Sequence, residues 1–304
     1  MRKHQILVLM ILGSIILFGC RRSSVERLTD GVDKLDMQPT VSPNGKQIVF
    51  CRFKKLMIRD EEGTEKELVV NDLSNFASPT FSPDGKRLAF SANHAKAYHS
   101  GPSGIHIIVL DIDSGKWDCI TPDAHFNTAP SWSPDGTKIA YTRAVRNGNM
   151  ICVHDVKTKK TQELVFGSGR SAAWSPDGKT IAYVAGKPSR DIYLINADGS
   201  NKRRLVGNDQ TDDEEPTWTP DGQFVIFTRQ TRITDAPESR DLWAVRVADK
   251  KEFQLTKCTP GFWAMSPCVT PDGKSVVFAL RRLDHAVLRK VTVNWDNPTP
   301  VEVR

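Results

Sequence analysis

Histidines and acids are the side chains of this sequence that come nearest to a metal-binding pattern. His94 and His99 are five residues apart, and His106 follows them. Imidazole is a common metal ligand, but no carboxylate or cysteine stands at the spacing that zinc sites use. The acidic run 209–215 lacks the alternating Asp-x-Asp-x-Asp-Gly pattern of a calcium loop. The sequence therefore predicts neither a metal site nor a cofactor.

Nucleophilic catalysis has no recognisable pattern either. The Gly-x-Ser-x-Gly motif of hydrolases does not occur, and we interpret Gly167-Ser168-Gly169 as a flexible loop. Besides Cys20, cysteines stand at positions 51, 119, 152, 258 and 268, without a Cys-x-x-Cys pair. We expect these five to be buried as small hydrophobic side chains, while in an oxidising compartment up to two disulfides and one free thiol are the alternative. No set of residues commits the chain to an enzymatic reaction.

Cys20 is the one residue for which the sequence indicates a covalent modification. Arg2 and Lys3 precede an apolar run of 13 residues at 6–18, whereas a membrane-spanning helix needs about 20. The run ends in Leu17-Phe18-Gly19-Cys20, which resembles the lipobox of bacterial lipoproteins. The resemblance implies a signal peptide at 1–19, a thioether-linked lipid on Cys20 and a lipidated tether at 20–26. A plain cleaved signal or an uncleaved anchor is the alternative.

The charge balance argues against nucleic acid as a partner. The 304 residues carry a formal net charge of +6, and the basic residues are scattered along the chain. The largest cluster, Lys202-Arg203-Arg204, lies near an expected strand edge, where charge commonly deters edge pairing. Nucleic-acid binding needs a concentrated basic patch, so we expect none.

A four-residue turn recurs six times and organises the rest of the chain. Each copy has a hydroxyl residue, a proline, Asp or Asn, and a glycine, and the copies begin at Ser42, Ser82, Ser133, Ser175, Thr219 and Thr270. Proline fixes φ and glycine accepts positive φ, so these residues favour a tight turn. The prolines are 40 to 51 residues apart, which is within or just above the period expected of four-stranded propeller blades.

A short apolar strand follows each turn. The six are Ile48–Phe50, Leu88–Phe90, Ile139–Tyr141, Ile181–Tyr183, Val225–Phe227 and Val276–Phe278. Consecutive apolar residues indicate burial on both faces, whereas a two-sheet sandwich would place polar residues at every second position. The sequence therefore predicts an all-β fold, a six-bladed β-propeller of four-stranded antiparallel blades, at 27–304. Either Arg27-Leu28-Thr29 or the segment 300–303 would complete the last blade.

The repeat as a whole resembles a known family. The segment 174–183 reads Trp-Ser-Pro-Asp-Gly-Lys-Thr-Ile-Ala-Tyr, and this pattern is similar to the WD-like propeller repeat of the TolB family, which prolyl oligopeptidase relatives also contain. The resemblance covers 27–304 and implies a TolB-like propeller lipoprotein. We expect the chain to lack the α/β domain that precedes the propeller in TolB.

Antiparallel strand order assigns the connections of such a propeller to two rims. The repeated turns share one rim with the turns between third and fourth strands, while the longer and more variable connections share the other. Irregular loops on a rigid scaffold are where binding residues concentrate. We therefore predict a partner-binding surface on the variable rim, with the candidates His94, Tyr98, His99, His125, Arg170, Arg232, Phe262, Trp263 and Arg281.

These features lead to one leading hypothesis and two alternatives. The leading hypothesis is a lipid-anchored protein of the cell envelope that binds another envelope protein as a scaffold. We expect the protein on the periplasmic side of the cell envelope. The residue after Cys20 is Arg21 and not Asp, which favours the outer membrane by analogy with enteric bacteria. The first alternative is a lyase-like propeller enzyme acting on an oligosaccharide or small molecule. The second is a sensor that binds an ion or small ligand. Convergent His, Arg and acidic side chains in the central channel would favour the enzyme.

Overall fold

A computed structural model of the chain describes residues 25–30, 34–94, 104–123, 125–232 and 239–304. The predicted signal peptide, Cys20, Tyr98 and His99 lie outside these residues. The described part is built of β-strands that form four-stranded antiparallel blades of a propeller. No helix in these residues is long and apolar enough to cross a membrane.

Four blades are separate four-stranded sheets, each ordered as its strands follow in the chain. Blade 1 contains β2 (Asp36–Val41), β3 (Ile48–Arg52), β4 (Lys55–Arg59) and β5 (Glu65–Glu67). Blade 2 contains β6 (Leu73–Phe81), β7 (Arg87–His94), β8 (His106–Asp111) and β9 (Trp117–Cys119). Blade 3 contains β10 (Asn127–Trp132), β11 (Lys138–Val145), β12 (Gly148–Asp155) and β13 (Thr161–Val165). Blade 4 contains β14 (Arg170–Trp174), β15 (Thr180–Ala185), β16 (Asp191–Asn196) and β17 (Arg203–Val206).

The remaining antiparallel strands form one eight-stranded sheet with two parts. Part A contains β18 (Thr211–Trp218), β19 (Phe224–Thr231), β20 (Arg240–Arg246) and β21 (Glu252–Gln254). Part B contains β23 (Trp263–Val269), β24 (Ser275–Arg282), β25 (His285–Thr292) and the N-terminal β1 (Val25–Arg27). A single parallel bridge between Arg240 and Trp263 joins the two parts.

The prediction of six separate blades is therefore wrong in its count. The structure has four separate four-stranded blades, and the last two repeats share a continuous sheet. The physical reason is local: Arg240 donates its backbone N–H to the carbonyl of Phe262, which brings β20 alongside β23. No residue pattern in the repeat encodes that contact.

The first strands of the repeats face one another around a closed ring. In chain order β2, β6, β10, β14, β18 and β23 each contact the next, and β23 contacts β2. The middle strands are buried on both flanks, as predicted: Phe50, Phe90, Tyr141, Tyr183, Phe227 and Phe278 are fully buried. The hydrophobic core therefore lies between neighbouring sheets, and stacking around the ring buries both faces of each.

The N-terminal strand closes this ring. Val25 pairs with Val291 and Arg27 with Arg289, and Leu28 donates its backbone N–H to Leu288. Val25 and Glu26, which the sequence placed in the tether, thus lie in a strand. The other candidate segment forms β26 (Val301–Val303), which pairs in parallel with β22 (Thr256–Cys258) and not with β25.

The repeated turns share one hydrogen-bonded structure. In each copy the hydroxyl of the first residue donates to the side chain of the third, as Ser175 Oγ does to Asp177 Oδ1 at 2.6 Å. The same hydroxyl accepts the backbone N–H five residues on, that of Thr180 at 2.9 Å. Successive turns also pack together, because a methyl group added to Gly178 would lie 3.2 Å from Pro134. The turns therefore form a tight, regular rim.

Candidate functional site

Two rims present different surfaces. The turn rim consists of the six repeated turns and the connections between third and fourth strands. The loop rim consists of the connections between second and third strands and between consecutive repeats, whose described residues are 53–54, 68–72, 104–105, 120–123, 125–126, 146–147, 166–169, 186–190, 207–210, 232, 239, 259–262 and 283–284.

Exposed apolar side chains concentrate on the loop rim. The large hydrophobic residues that the described structure leaves exposed are Phe53, Val69, Phe126, Phe166 and Leu283. Each lies in a second-to-third-strand turn or in a connection between repeats. All five lie on one rim, so the loop rim exposes more apolar surface than the turn rim and is the candidate interaction surface.

Two of these residues occupy strained turns. Phe53 and Lys54 connect β3 to β4 with φ of 47° and 65°, where two-residue hairpins usually have Asn-Gly. Leu283, between β24 and β25, has φ of 43° and is 73% exposed. Non-glycine residues with positive φ cost about 1 to 3 kcal/mol. Neither Phe53 nor Leu283 belongs to a hydrophobic core cluster of the described residues, so both are candidates for contact with a partner.

Arginine–aromatic pairs flank this surface at the end of part B. Trp263 pairs in register with Arg281, whose guanidinium carbon lies 5.6 Å from the centre of the indole ring. Arg282 lies 5.3 Å from the ring of Phe262 in the same way. Such cation–π stacking fixes two flat, amphipathic side chains beside Leu283, and Trp and Arg are enriched at binding hot spots.

The structure brings together Phe262, Trp263 and Arg281 from the sequence-predicted candidates. The other described candidates, His94, His125, Arg170 and Arg232, are dispersed along blades 2 to 4 and part A. His94 packs edge-on against Trp117, with ring centres 5.0 Å apart. His125 Nδ1 lies 3.3 Å from Asp123 Oδ1, and Arg232 lies 3.9 Å from Asp212. Arg170 begins β14.

Sequence reasoning did not identify Phe53, Val69, Phe126, Phe166 and Leu283. A signal was available for two of them, because the dipeptides Phe53-Lys54 and Leu283-Asp284 sit in two-residue hairpin connections. Such connections favour Asn, Asp and Gly. An apolar residue at these positions is exposed by geometry, whereas exposure of the other three follows only from tertiary packing.

Buried ion pairs hold the strand ends beneath the loop rim. Asp36 is fully buried and accepts two hydrogen bonds from Arg52, at 2.6 and 2.8 Å. Arg229 binds the buried Asp213 in the same bidentate manner, at 2.7 and 2.8 Å. The hydrogen bond to Asp36 raises the pKa of Arg52. Because breaking a buried pair leaves an uncompensated charge, these arginines fix the rim that carries the exposed side chains.

A polar waist lies at the centre of the ring. Its volume is about 290 Å³, and each first strand contributes the three residues at its β-bulge. The bulge residue has positive φ in every copy: Gln38, Ser78, Ala129, Ser171, Glu215 and Ser266 lie between 51° and 55°. The carboxylate of Glu215 accepts the backbone N–H and the hydroxyl of Ser266, at 2.6 and 3.0 Å. The waist is therefore narrow and internally hydrogen-bonded.

Metal-binding groups of three or more His, Cys, Asp or Glu side chains do not occur in the part of the chain that the structure describes. Glu215 is the one acidic residue of the waist, whose described lining contains neither histidine nor arginine. In chemical terms, the waist offers hydroxyls, prolines, the Gln38 amide, the Cys268 thiol and one carboxylate, and the loop rim offers apolar and arginine–aromatic contacts.

Most of the chain matches one known protein family. Residues 52–303 match the TolB beta propeller domain family. The curated relatives include the Tol-Pal system protein TolB of Francisella tularensis subsp. mediasiatica (strain FSC147), 27% identical over 262 residues. The alignment covers 83% of this chain and 57% of that protein, so the chain spans just over half the length of such relatives.

Solved structures share the fold at low identity. A TolB candidate from Agrobacterium tumefaciens has a TM-score of 0.69 and 20% identity, covering 90% of this chain and 99% of that one. TolB from Acinetobacter baumannii has a TM-score of 0.61 and 20% identity, covering 86% and 64%. Oligogalacturonate lyase from Vibrio parahaemolyticus has a TM-score of 0.62 and 15% identity, covering 88% and 80%. These likenesses show the propeller architecture alone.

Proposed function

Because the chain belongs to the TolB beta propeller domain family, we propose that it is a cell-envelope binding protein whose loop rim docks another protein. The observation that carries this proposal is the placement of Phe53, Val69, Phe126, Phe166 and Leu283 on one rim. The name of the curated relatives, Tol-Pal system protein TolB, supports an envelope location and a protein partner.

We propose further that Cys20 carries a lipid, after removal of residues 1–19, and that 20–24 tether the propeller to a membrane, with the outer membrane favoured. The lipobox-like sequence 17–20 supports this step. In the same view the eight-stranded sheet acts as two blades, parts A and B, so that six blades surround the waist. The single Arg240–Trp263 bridge and the six first strands around the waist support that count.

The docking surface is centred where part B meets blade 1. Phe50 of blade 1 packs with Ala279 and Leu288 of part B, so the hairpin ends bearing Phe53 and Leu283 are on adjacent sheets. Apolar tips beside the Trp263–Arg281 pair form an apolar centre with a cationic border. Interfaces with such a centre bind through a few aromatic and arginine anchors.

The lyase-like alternative has less support from the channel. Carbohydrate chemistry of that kind would draw on convergent His, Arg and acidic side chains, and Glu215 is the one side chain of these types in the described waist. Its two oxygens are already engaged by Ser266 and Thr228. The composition of the waist therefore favours binding at the rim over chemistry in the channel.

Capture of a partner by matched variants tests the proposal. Phe53→Ser with Leu283→Ser should lower recovery of an envelope partner at least about tenfold, because each removes a hot-spot-sized apolar contact. The control is Lys46→Ser with Lys274→Ser on the turn rim, where both lysines are exposed. Both pairs should keep the unfolding temperature. Equal recovery by the two double variants would reject the loop rim as the docking surface.

A further inference from the structure

The register of β1 determines which rim the N-terminal tether leaves. β24 begins at Ser275, directly after the repeated turn 270–273, and Ser275 pairs with Thr292. Val25 pairs with Val291, one residue from that end, and Arg27 pairs with Arg289, further from it. The chain of β1 therefore runs from the turn rim towards the loop rim, so Val25 lies at the turn-rim end of this strand.

The tether is too short to reach the other rim. Four residues separate Cys20 from Val25, and consecutive Cα atoms are 3.8 Å apart, so Cys20 lies within about 19 Å of Val25 even at full extension. The eight-residue strand β24 has a length of about 25 Å at 3.3 Å per residue. A lipid on Cys20 thus holds the turn rim, at the outer edge of part B, close to the bilayer.

Charge supplies a second contact across the ring. On the turn rim of blade 3, Lys157, Lys159 and Lys160 are exposed in one turn, and Lys179 and Lys202 are exposed on blade 4. The same turns also carry Asp155, Asp177 and Asp198, so the five lysines leave a surplus of two positive charges there. The corresponding turn of blade 1, beside the anchored edge, instead carries Asp60, Glu61 and Glu62. Lysines near an anionic membrane surface are attracted to its headgroups, and the attraction falls off within a Debye length. The tether at part B and the lysines of blades 3 and 4 lie on opposite sides of the ring. Together they favour a placement in which the whole turn rim lies against the membrane.

We propose that the turn rim lies against an anionic lipid surface and that the loop rim faces away from it, a placement that rests on the lipid anchor proposed above. The occupant of the turn rim is then the bilayer, bound through the Cys20 lipid and the lysines of blades 3 and 4. A partner on the loop rim must approach from the side opposite the anchoring membrane. Partners embedded in that bilayer would need a domain reaching at least the height of a blade.

Fluorescence quenching in vesicles tests this orientation. The full-length lipidated protein is bound to phosphatidylethanolamine–phosphatidylglycerol vesicles containing a headgroup nitroxide lipid. One environment-sensitive label is placed at Lys179→Cys on the turn rim, and the other at Asp284→Cys on the loop rim. Quenching should be about threefold stronger at 179, because a blade height of about 25 Å separates the two labels. Equal quenching, as expected for an edge-on placement, or stronger quenching at 284 would overturn the orientation.

A charge-reversal variant tests the lysine contact. Changing Lys157, Lys159 and Lys160 to Glu should weaken quenching at 179 about twofold, since those side chains would then be repelled by the headgroups. The control changes Lys54 and Lys187 on the loop rim to Glu, and it should leave the quenching at position 179 unchanged. Equal effects of the two variants would overturn the role of the lysines.

Flotation separates failure of the orientation from failure of the anchor. The wild-type protein should float with the vesicles and Cys20→Ser should not. If neither floats, the anchor and the orientation both fail, while docking on the loop rim is still tested by partner capture. If the wild-type protein floats and the quenching order is reversed, the orientation alone fails.

Discussion

Thr29→Val isolates the contribution of the N-terminal strand to ring closure. Thr29 is buried, and its Oγ1 accepts the backbone N–H of Leu288 at 3.0 Å. Thr121 does the same for Ile107 at 2.8 Å, and Thr256 for Leu242 at 2.9 Å. Three repeats thus use an equivalent threonine after the fourth strand.

The expected loss follows from one unsatisfied buried donor. Valine has nearly the shape of threonine but cannot accept a hydrogen bond, so the N–H of Leu288 stays buried without a partner. Such a change costs about 1 to 3 kcal/mol. Thr29→Val should therefore lower the free energy of unfolding by this amount. Thr121→Val removes the equivalent hydrogen bond between two residues that are only 14 apart in the sequence, and it should lower the free energy of unfolding by a similar amount.

Urea unfolding followed by tryptophan fluorescence measures both variants. Thr299→Val, at an exposed position, is the control and should change the free energy of unfolding by no more than about 0.5 kcal/mol. If Thr121→Val is destabilising while Thr29→Val equals the control, the N-terminal strand does not close the ring. That result would also remove the basis for placing the tether on the turn rim.

Three further predictions concern single side chains. A Cβ at Gly207 would lie 2.2 Å from Asp191 Oδ1, whereas at Gly45 nothing lies within 4 Å and φ is also positive; Gly207→Ala should lower the melting temperature more than Gly45→Ala, and equal losses would contradict this packing. Burial raises the pKa of Cys51 to about 12 and of Cys152 to about 11, so both thiols should react with iodoacetamide far more slowly in the folded than in the urea-unfolded protein, and similar rates by mass spectrometry would be inconsistent with burial. The Ser82 hydroxyl lowers the pKa of Asp84, which adds stability above the unfolded-state pKa that is lost as pH falls through the folded-state pKa. The difference in urea midpoint between wild type and Ser82→Ala should therefore narrow as pH falls through that range, with a pH-independent remainder because the backbone N–H of Arg87 also loses its acceptor; a difference that stays constant with pH would argue against the linkage.

The repeat made most of the fold predictable. Six copies of one turn, each with an apolar strand such as Ile139–Tyr141 after it, determine strand order and burial because a strand that is apolar on both faces needs a neighbour on each side. The blade count failed at one backbone contact, between Arg240 and Trp263. That contact depends on how closely two sheet ends approach, which residue types do not encode.

The candidate site was only partly predictable for a similar reason. Phe262, Trp263 and Arg281 were proposed from their types and their place on the variable rim; the structure stacks Arg281 on Trp263, and their role in binding stays a prediction. The exposure of Phe126 and Phe166 depends on which side of a connection packs inward. Gln38 and the equivalent residues of the other repeats have positive φ although none of them is glycine, so their residue types did not predict this conformation.

Photo-crosslinking in intact cells tests the docking surface most directly. A benzophenone amino acid replaces Leu283 on the loop rim in one strain and Lys274 on the turn rim in another, both exposed positions. Irradiation should give a discrete crosslinked protein band from position 283 and none from position 274. A discrete band from 274 with none from 283 would contradict the assignment of protein binding to the loop rim.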